Sequence, residues 1–249
     1  GLASSGNWTM GNIVSSNELE VSLTDWASVA VQTFMATSTP DAATTLTRIQ
    51  DVNADDSPNT TVVETATAQN AIVVAKDRFG NVVPGTSITY TITGGGGSFG
   101  DSTTRYVVLA DEQGQAQALT WTVGTAAGVN SMTASIDGAS LTFETIAIPS
   151  SASTGQSEFE IISPNPSTLV ADGTSTTVLR ITLRDARSNF IAASEADTVS
   201  VRITGGSGEL SSVTTTLDGT YVTTFTSGRV SGQVTVIASV NNSDLSQQV

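Results

Sequence analysis

The chain has 249 residues, 23 of them acidic and 9 basic, for a net charge of −14, and it contains neither cysteine nor histidine. Those two absences exclude disulfides, thiol nucleophiles, thiolate or imidazole metal sites and any catalysis that runs through an imidazole base. A surface this acidic repels nucleic acid and anionic lipid, and no stretch approaches the roughly 20 apolar residues of a membrane span, so neither partner is expected.

Only 13% of the residues are charged, while Ser, Thr, Val and Gly abound. β-Branched side chains fit a half-buried pleated surface, so the composition points to many short strands. The chain starts at Gly1 without Met or a leader-like segment, which predicts a processed product or a piece of something longer.

Residues 1–45 open with GLASSGNWTMG, and the pattern returns as GQAQALTWTVG at Gly114–Gly124. Gly1, Trp8, Thr9, Gly11 and Asn17 fall on Gly114, Trp121, Thr122, Gly124 and Asn130 at one offset; Phe34 meets Phe143 after a short insertion. Downstream, KDRFGN (Lys76–Asn81) meets RDARSN (Arg184–Asn189), and YTITGGGGSF (Tyr90–Phe99) meets VRITGGSGEL (Val201–Leu210). A period of about a hundred residues is domain-sized, too long for a solenoid unit. Residues 1–45 therefore read as the C-terminal half of one copy, 46–153 as a whole copy and 154–249 as another. Each segment is net acidic, at −4, −6 and −4, so none is set aside as a basic docking tail.

The stretch DVNADDSPN lies where the first copy passes into the second. Asp51, Asn53 and Asp55 have the alternating oxygen spacing of a calcium loop, but Asp56 and Val62 stand where that loop needs Gly and Glu. A solvated linker is the plain expectation. Calcium is the alternative, because an ion there would stiffen the junction; no other cofactor is expected. Next, AIVVAKD (Ala71–Asp77) is apolar on both faces, whereas SITYTIT alternates Ile88, Tyr90 and Ile92 with Thr89, Thr91 and Thr93. Lys76 is the single lysine. Its counterpart Arg184 cannot form an isopeptide crosslink, so an exposed cation is predicted.

TGGGGSFG lacks the Gly-Lys-Ser/Thr ending of a phosphate loop, and a tight backbone path explains it and its partner TGGSGEL. Asp111–Glu112, like Glu18 with Glu20, could be proposed as a pair of glycosidase carboxylates, but DEQGQ reads as a hairpin turn. Trp8, Trp121 and Phe225 share one repeat position, where the flanking Leu119 and Val123 predict core packing rather than a sugar platform. Trp26 lies in the insertion of the first copy and is the better interface candidate.

In the last copy, VLRITLRD places Leu179, Ile181 and Leu183 on one face, and TVSVRIT does the same with Val199, Val201 and Ile203. Helical periodicity is confined to a weak hint at Ser194–Asp197. Short alternating strands with regular turns predict an all-β protein of antiparallel sandwiches.

SPNPSTLVADGTSTTVLRITLRDARSN resembles the start of a group 1 bacterial Ig-like domain, the stalk module of the invasin and intimin adhesins. VVPGTSITYTITGGGGSFGDSTT and DEQGQAQALTWTVGTAAGVNSMTASI resemble its middle and end. The resemblance departs at RDARSNF, where the family usually has Gly-Asn-Pro. It implies a rod of tandem immunoglobulin-like sandwiches, extracellular or at the cell surface. There it would be a non-enzymatic stalk that presents a binding tip to a host-cell or surface receptor.

Half a sandwich exposes an apolar face and unpaired edges, so residues 1–45 predict completion by missing or donated strands. Partners on this reading are upstream Ig-like domains or other copies of the chain. The alternative reading is a structural subunit of an extracellular filament or a virion, assembled by strand donation.

Overall fold

In a computed structural model of the chain the described residues are 4–23, 30–53, 59–163, 168–193 and 197–249. Trp26, Asp55, Asp56 and most of the Ser194–Asp197 segment lie outside them. No helix occurs among the described residues, and the strands fall into two compact units.

The first unit comprises Gly1–Gly124 and Val129–Ile146. Its strands are β1 (Ser16–Val21), β2 (Gln32–Thr37), β3 (Thr45–Gln50), β4 (Thr60–Val62), β5 (Ile72–Lys76) and β6 (Ser87–Gly94). Then come β7 (Ser98–Phe99), β8 (Arg105–Leu109), β9 (Gln115–Gln117), β10 (Trp121–Thr122), β11 (Gly128–Ile136) and β12 (Ala139–Ile148). A five-stranded sheet runs β4-β12-β11-β6-β8, a three-stranded sheet runs β3-β5-β9, and β10 pairs with β7.

The alternation predicted for SITYTIT holds: Ile88 and Tyr90 are fully buried, beside Met132 and Ala134 of β11 and Phe143 of β12. Val73, Ala75 and Ala116 bury the inner side of the three-stranded sheet. The Tyr90 hydroxyl donates to the Ala116 carbonyl at 2.8 Å, so the one polar atom of a large core residue is satisfied on the opposite sheet. β5 is buried on both faces, as its lack of alternation required.

Strands β1 and β2 pair with each other, with Leu19 opposite Phe34, and form a sheet of two. The repeat puts Phe34 and Phe143 at one position, yet Phe143 is 0% exposed and Phe34 is 57% exposed. A second layer covers Phe143. Among the described residues nothing equivalent lies over Phe34.

The second unit comprises Thr125–Gly128 and Ala147–Val249. Its strands are β13 (Glu158–Ser163), β14 (Thr176–Arg184), β15 (Phe190–Ile191), β16 (Val199–Gly205) and β17 (Gly208–Leu210). They continue with β18 (Thr214–Thr215), β19 (Tyr221–Ser227), β20 (Thr235–Val240) and β21 (Ser243–Gln248). One sheet runs β13-β14-β19-β17, with β15 on β14 and β18 on β19; the other runs β16-β20-β21. Phe159, Leu179, Ile181, Leu183, Tyr221 and Phe225 of the first sheet pack against Val236, Ala238, Val240 and Leu245 of the second. This copy is shorter than its predecessor between the glycine loop and the aromatic strand. Accordingly β8, which pairs with β6, is reduced to the two-residue β18, which pairs with β19 instead.

Candidate functional site

The two copies of Asp-x-x-x-Asn build the same constellation. Asp77 and Asn81 close a turn through Asp77 N–H to the Asn81 carbonyl at 2.9 Å, and Asp77 Oδ1 accepts the N–H groups of Phe79 and Asn81 at 2.9 Å each. Asp77 Oδ2 accepts Asn81 Nδ2 at 2.8 Å and the Asp41 N–H at 3.2 Å. The Asn81 side chain also reaches the loop before β1: its Oδ1 accepts the Val14 N–H at 3.1 Å, and its Nδ2 donates to the Asn12 carbonyl at 2.8 Å. All these groups belong to the first unit.

In the second unit Asp185 N–H donates to the Asn189 carbonyl at 3.0 Å, and Asp185 Oδ1 accepts Arg187 N–H and Asn189 N–H at 2.9 Å each. Asp185 Oδ2 accepts Asn189 Nδ2 at 2.9 Å and Ser150 N–H at 3.1 Å. Asn189 Oδ1 accepts the Ala127 N–H at 2.9 Å, and its Nδ2 donates to the Thr125 carbonyl at 2.8 Å. Ser150 stands where Asp41 stands in the first unit, and Thr125 and Ala127 where Asn12 and Val14 stand.

Both aspartates are buried, at 2% and 0% exposure. Burial opposes their ionisation. Bonds from the asparagine side chain, from its N–H and from neighbouring N–H groups outweigh that, and both carboxyls sit below the ordinary value. The left-handed position in the first turn is Gly80 at φ 90°, and Ser188 takes it at φ 66° in the second. Serine in place of glycine therefore leaves the turn intact.

The candidate calcium ligands are placed differently. Asp51 Oδ2 is ion-paired with Arg48, and its Oδ1 accepts the Val52 N–H at 2.7 Å. Arg48 also donates to the Thr142 carbonyl at 2.6 Å and lies 4.7 Å over the Phe143 ring. Asn53 donates its amide to the Glu144 carbonyl at 2.8 Å. Asp55 lies outside the described residues. Among the described residues no group of three or more acidic side chains is placed to hold a metal ion.

Trp121 and Phe225 are buried at 1% and 7% exposure, the core role expected of them, while Trp8 on the partial copy is 38% exposed. Trp26 is outside the described residues. Asp111 closes the predicted hairpin turn by accepting the N–H groups of Gln113 and Gln115, at 2.9 and 2.8 Å. Glu18 and Glu20 lie exposed along β1, and Lys76 is half-buried at the end of β5.

The glycine run is a close backbone approach. A Cβ on Gly97, at φ 92°, would stand 2.1 Å from the Thr122 carbonyl oxygen, and one on Gly124 would stand 2.0 Å from that of Gly95.

Patterning alone does not single out the aspartate–asparagine pairs, because Asp and Asn are ordinary turn residues. A signal was present: Asp and Asn recur at the same spacing although the residues between them change from Arg-Phe-Gly to Ala-Arg-Ser.

The family model for invasin domain 3 matches residues 153–249. No curated protein matches the chain by sequence. Among solved structures, FdeC, an Escherichia coli adhesin, is 22% identical with a TM-score of 0.51; the match covers 85% of this chain and 64% of FdeC. Invasin, a bacterial integrin-binding protein, is 21% identical over 82% of this chain and 37% of its own, with a TM-score of 0.39. A glycosyl hydrolase family 2 member from Bacteroides cellulosilyticus reaches 15% identity and a TM-score of 0.34 over 25% of its length, which decides nothing. The chain thus spans less than two thirds of these structures. Its last segment, residues 153–249, is an invasin-type bacterial Ig-like domain, and the strands before it share the fold of such domains.

Proposed function

We propose that this chain is a non-enzymatic stalk segment of a bacterial surface adhesin, made of Ig-like modules at 46–153 and 154–249 preceded by the C-terminal half of another at 1–45. Its task is to space and present a binding tip that recognises a receptor on another surface. The family match of residues 153–249 carries this reading. Its support is the recurrence of one packing scheme, in which side chains fill cores or close turns. An acidic, Thr-rich exterior discourages lateral association.

Sedimentation velocity at micromolar concentration tests it. The stalk reading expects a monomer whose frictional ratio exceeds that of a globular protein of equal mass; spontaneous polymers would overturn it.

The exposed β1–β2 hairpin favours a second reading, a filament subunit completed by a strand from a neighbour. Head-to-tail polymers in the same experiment are its expected outcome.

A further inference from the structure

The loop at 228–232 leads from β19 into β20 and is the third member of a series. In one module Ser131 pairs with Gly94 and Met132 with Ile92; in the other Thr235 pairs with Gly205 and Val236 with Ile203. In these two modules the glycine that starts the loop is pressed against the glycine loop of its own module. Gly124 lies against the Gly95 carbonyl, and Gly228 against Ser207, whose carbonyl accepts the Gly228 N–H at 3.2 Å. Each loop thus has the same length between the same landmarks, and both end on a glycine of positive φ, Gly128 and Gly232. Thr125 corresponds to Arg229 and Ala127 to Ser231, just as Asn12 and Val14 correspond to Thr125 and Ala127.

At the first two loops the carbonyl of the first residue and the N–H of the third are taken by one asparagine side chain, Asn81 or Asn189. At the third loop the Arg229 carbonyl and the Ser231 N–H have no hydrogen-bond partner among the described residues, and both residues are exposed. The recognised groups are backbone groups. Changing the side chains from Asn and Val to Thr and Ala, and then to Arg and Ser, leaves the pattern available. The residue between them is apolar and open: Ile13 is 74% exposed and Val230 is 75% exposed.

We propose that the loop Arg229–Ser231 is a docking site for the side-chain amide of an asparagine in an Asp-x-x-x-Asn turn carried by a further Ig-like module. The asparagine accepts from Ser231 N–H, donates to the Arg229 carbonyl, and is held in that orientation by its own aspartate. This inference rests on the tandem reading above. Sedimentation judges that reading, whereas the test below judges the loop.

The test appends residues 146–249 directly after Val249 in the full chain, and amide hydrogen exchange is read by NMR. Ser231 N–H is expected to exchange about tenfold more slowly in the extended chain, and to return to the unextended rate when the appended counterpart of Asn189 is changed to Ala. In the unextended chain, Asn189→Ala should accelerate Ala127 and Asn81→Ala should accelerate Val14 by a similar factor. Unchanged exchange at Ser231 on extension overturns the proposal. So does protection that survives the asparagine change, which would mean that the loop is covered through Val230 alone. Exchange at Ala127 and Val14 that ignores the loss of Asn189 and Asn81 also overturns it, since those bonds are its basis.

Discussion

Asp185 and Asn189 are joined side chain to side chain, Nδ2 to Oδ2 at 2.9 Å, while a second bond from the same nitrogen runs to the Thr125 carbonyl. The aspartate sets the amide so that its oxygen faces the Ala127 N–H. An isosteric change exposes that dependence. In Asp185→Asn, whichever oxygen becomes NH2 must face either the Asn189 NH2 and Ser150 N–H or the Arg187 and Asn189 N–H groups. Asn189→Ala only removes bonds and leaves the backbone turn in place. Asp185→Asn should therefore lower the melting temperature more than Asn189→Ala, although it is the smaller change. Calorimetry of the two variants checks the order.

Acid should act through the same carboxylates. An unfolded Asp titrates near pH 3.9, and folding holds Asp77 and Asp185 below that value. Asp244 is lowered to about 2 by bonds from Arg202 and Ser239. A depressed folded value means that the stabilisation is present above the unfolded pKa and lost as pH falls through the folded one. The melting temperature should stay level down to about pH 5 and fall below about pH 4. The Asp77→Asn and Asp185→Asn double variant should start lower and show a shallower fall. An equal acid slope in the two proteins would remove these turns from the account.

Trp121 fills the core position that Phe225 fills in the other copy, but its Nε1 has no partner among the described residues. A buried donor left unbonded gives back part of what the large ring contributes. Trp121→Phe should therefore stay within about 1.5 kcal/mol of the parent. Trp121→Ala, which leaves a cavity, should cost about 3–5 kcal/mol. Chemical denaturation followed by far-UV circular dichroism measures both.

Calcium should leave the melting temperature unchanged at millimolar concentration, because the Arg48 guanidinium already neutralises Asp51 and Asn53 offers its amide to β12. A rise that Asp51→Asn abolishes would instead assign an ion to Asp51, Asn53 and Asp55. Titration calorimetry distinguishes the two results.

The fold was largely legible in the chain itself. Period-two alternation at Ile88 and Tyr90, and at Leu179, Ile181 and Leu183, specifies which face is buried, because successive strand residues point to opposite sides. Repeat spacing then predicts a recurring module of domain size, and the lack of His and Cys specifies which chemistry is closed to it. These are local or compositional properties, readable without coordinates. Three dimensions were needed for what depends on distant neighbours. Phe34 and Phe143 occupy one repeat position, but whether a ring is buried is decided by a second layer that no local pattern encodes. Asp77 and Asp185 looked like ordinary turn residues, since an aspartate opens a turn whether or not its asparagine reaches further. Only the folded chain brings Asn81 to Val14 and Asn189 to Ala127, pairs more than sixty positions apart. At the receiving end these hydrogen bonds use backbone groups, which every residue but proline carries in full, and so leave almost no mark on the sequence there.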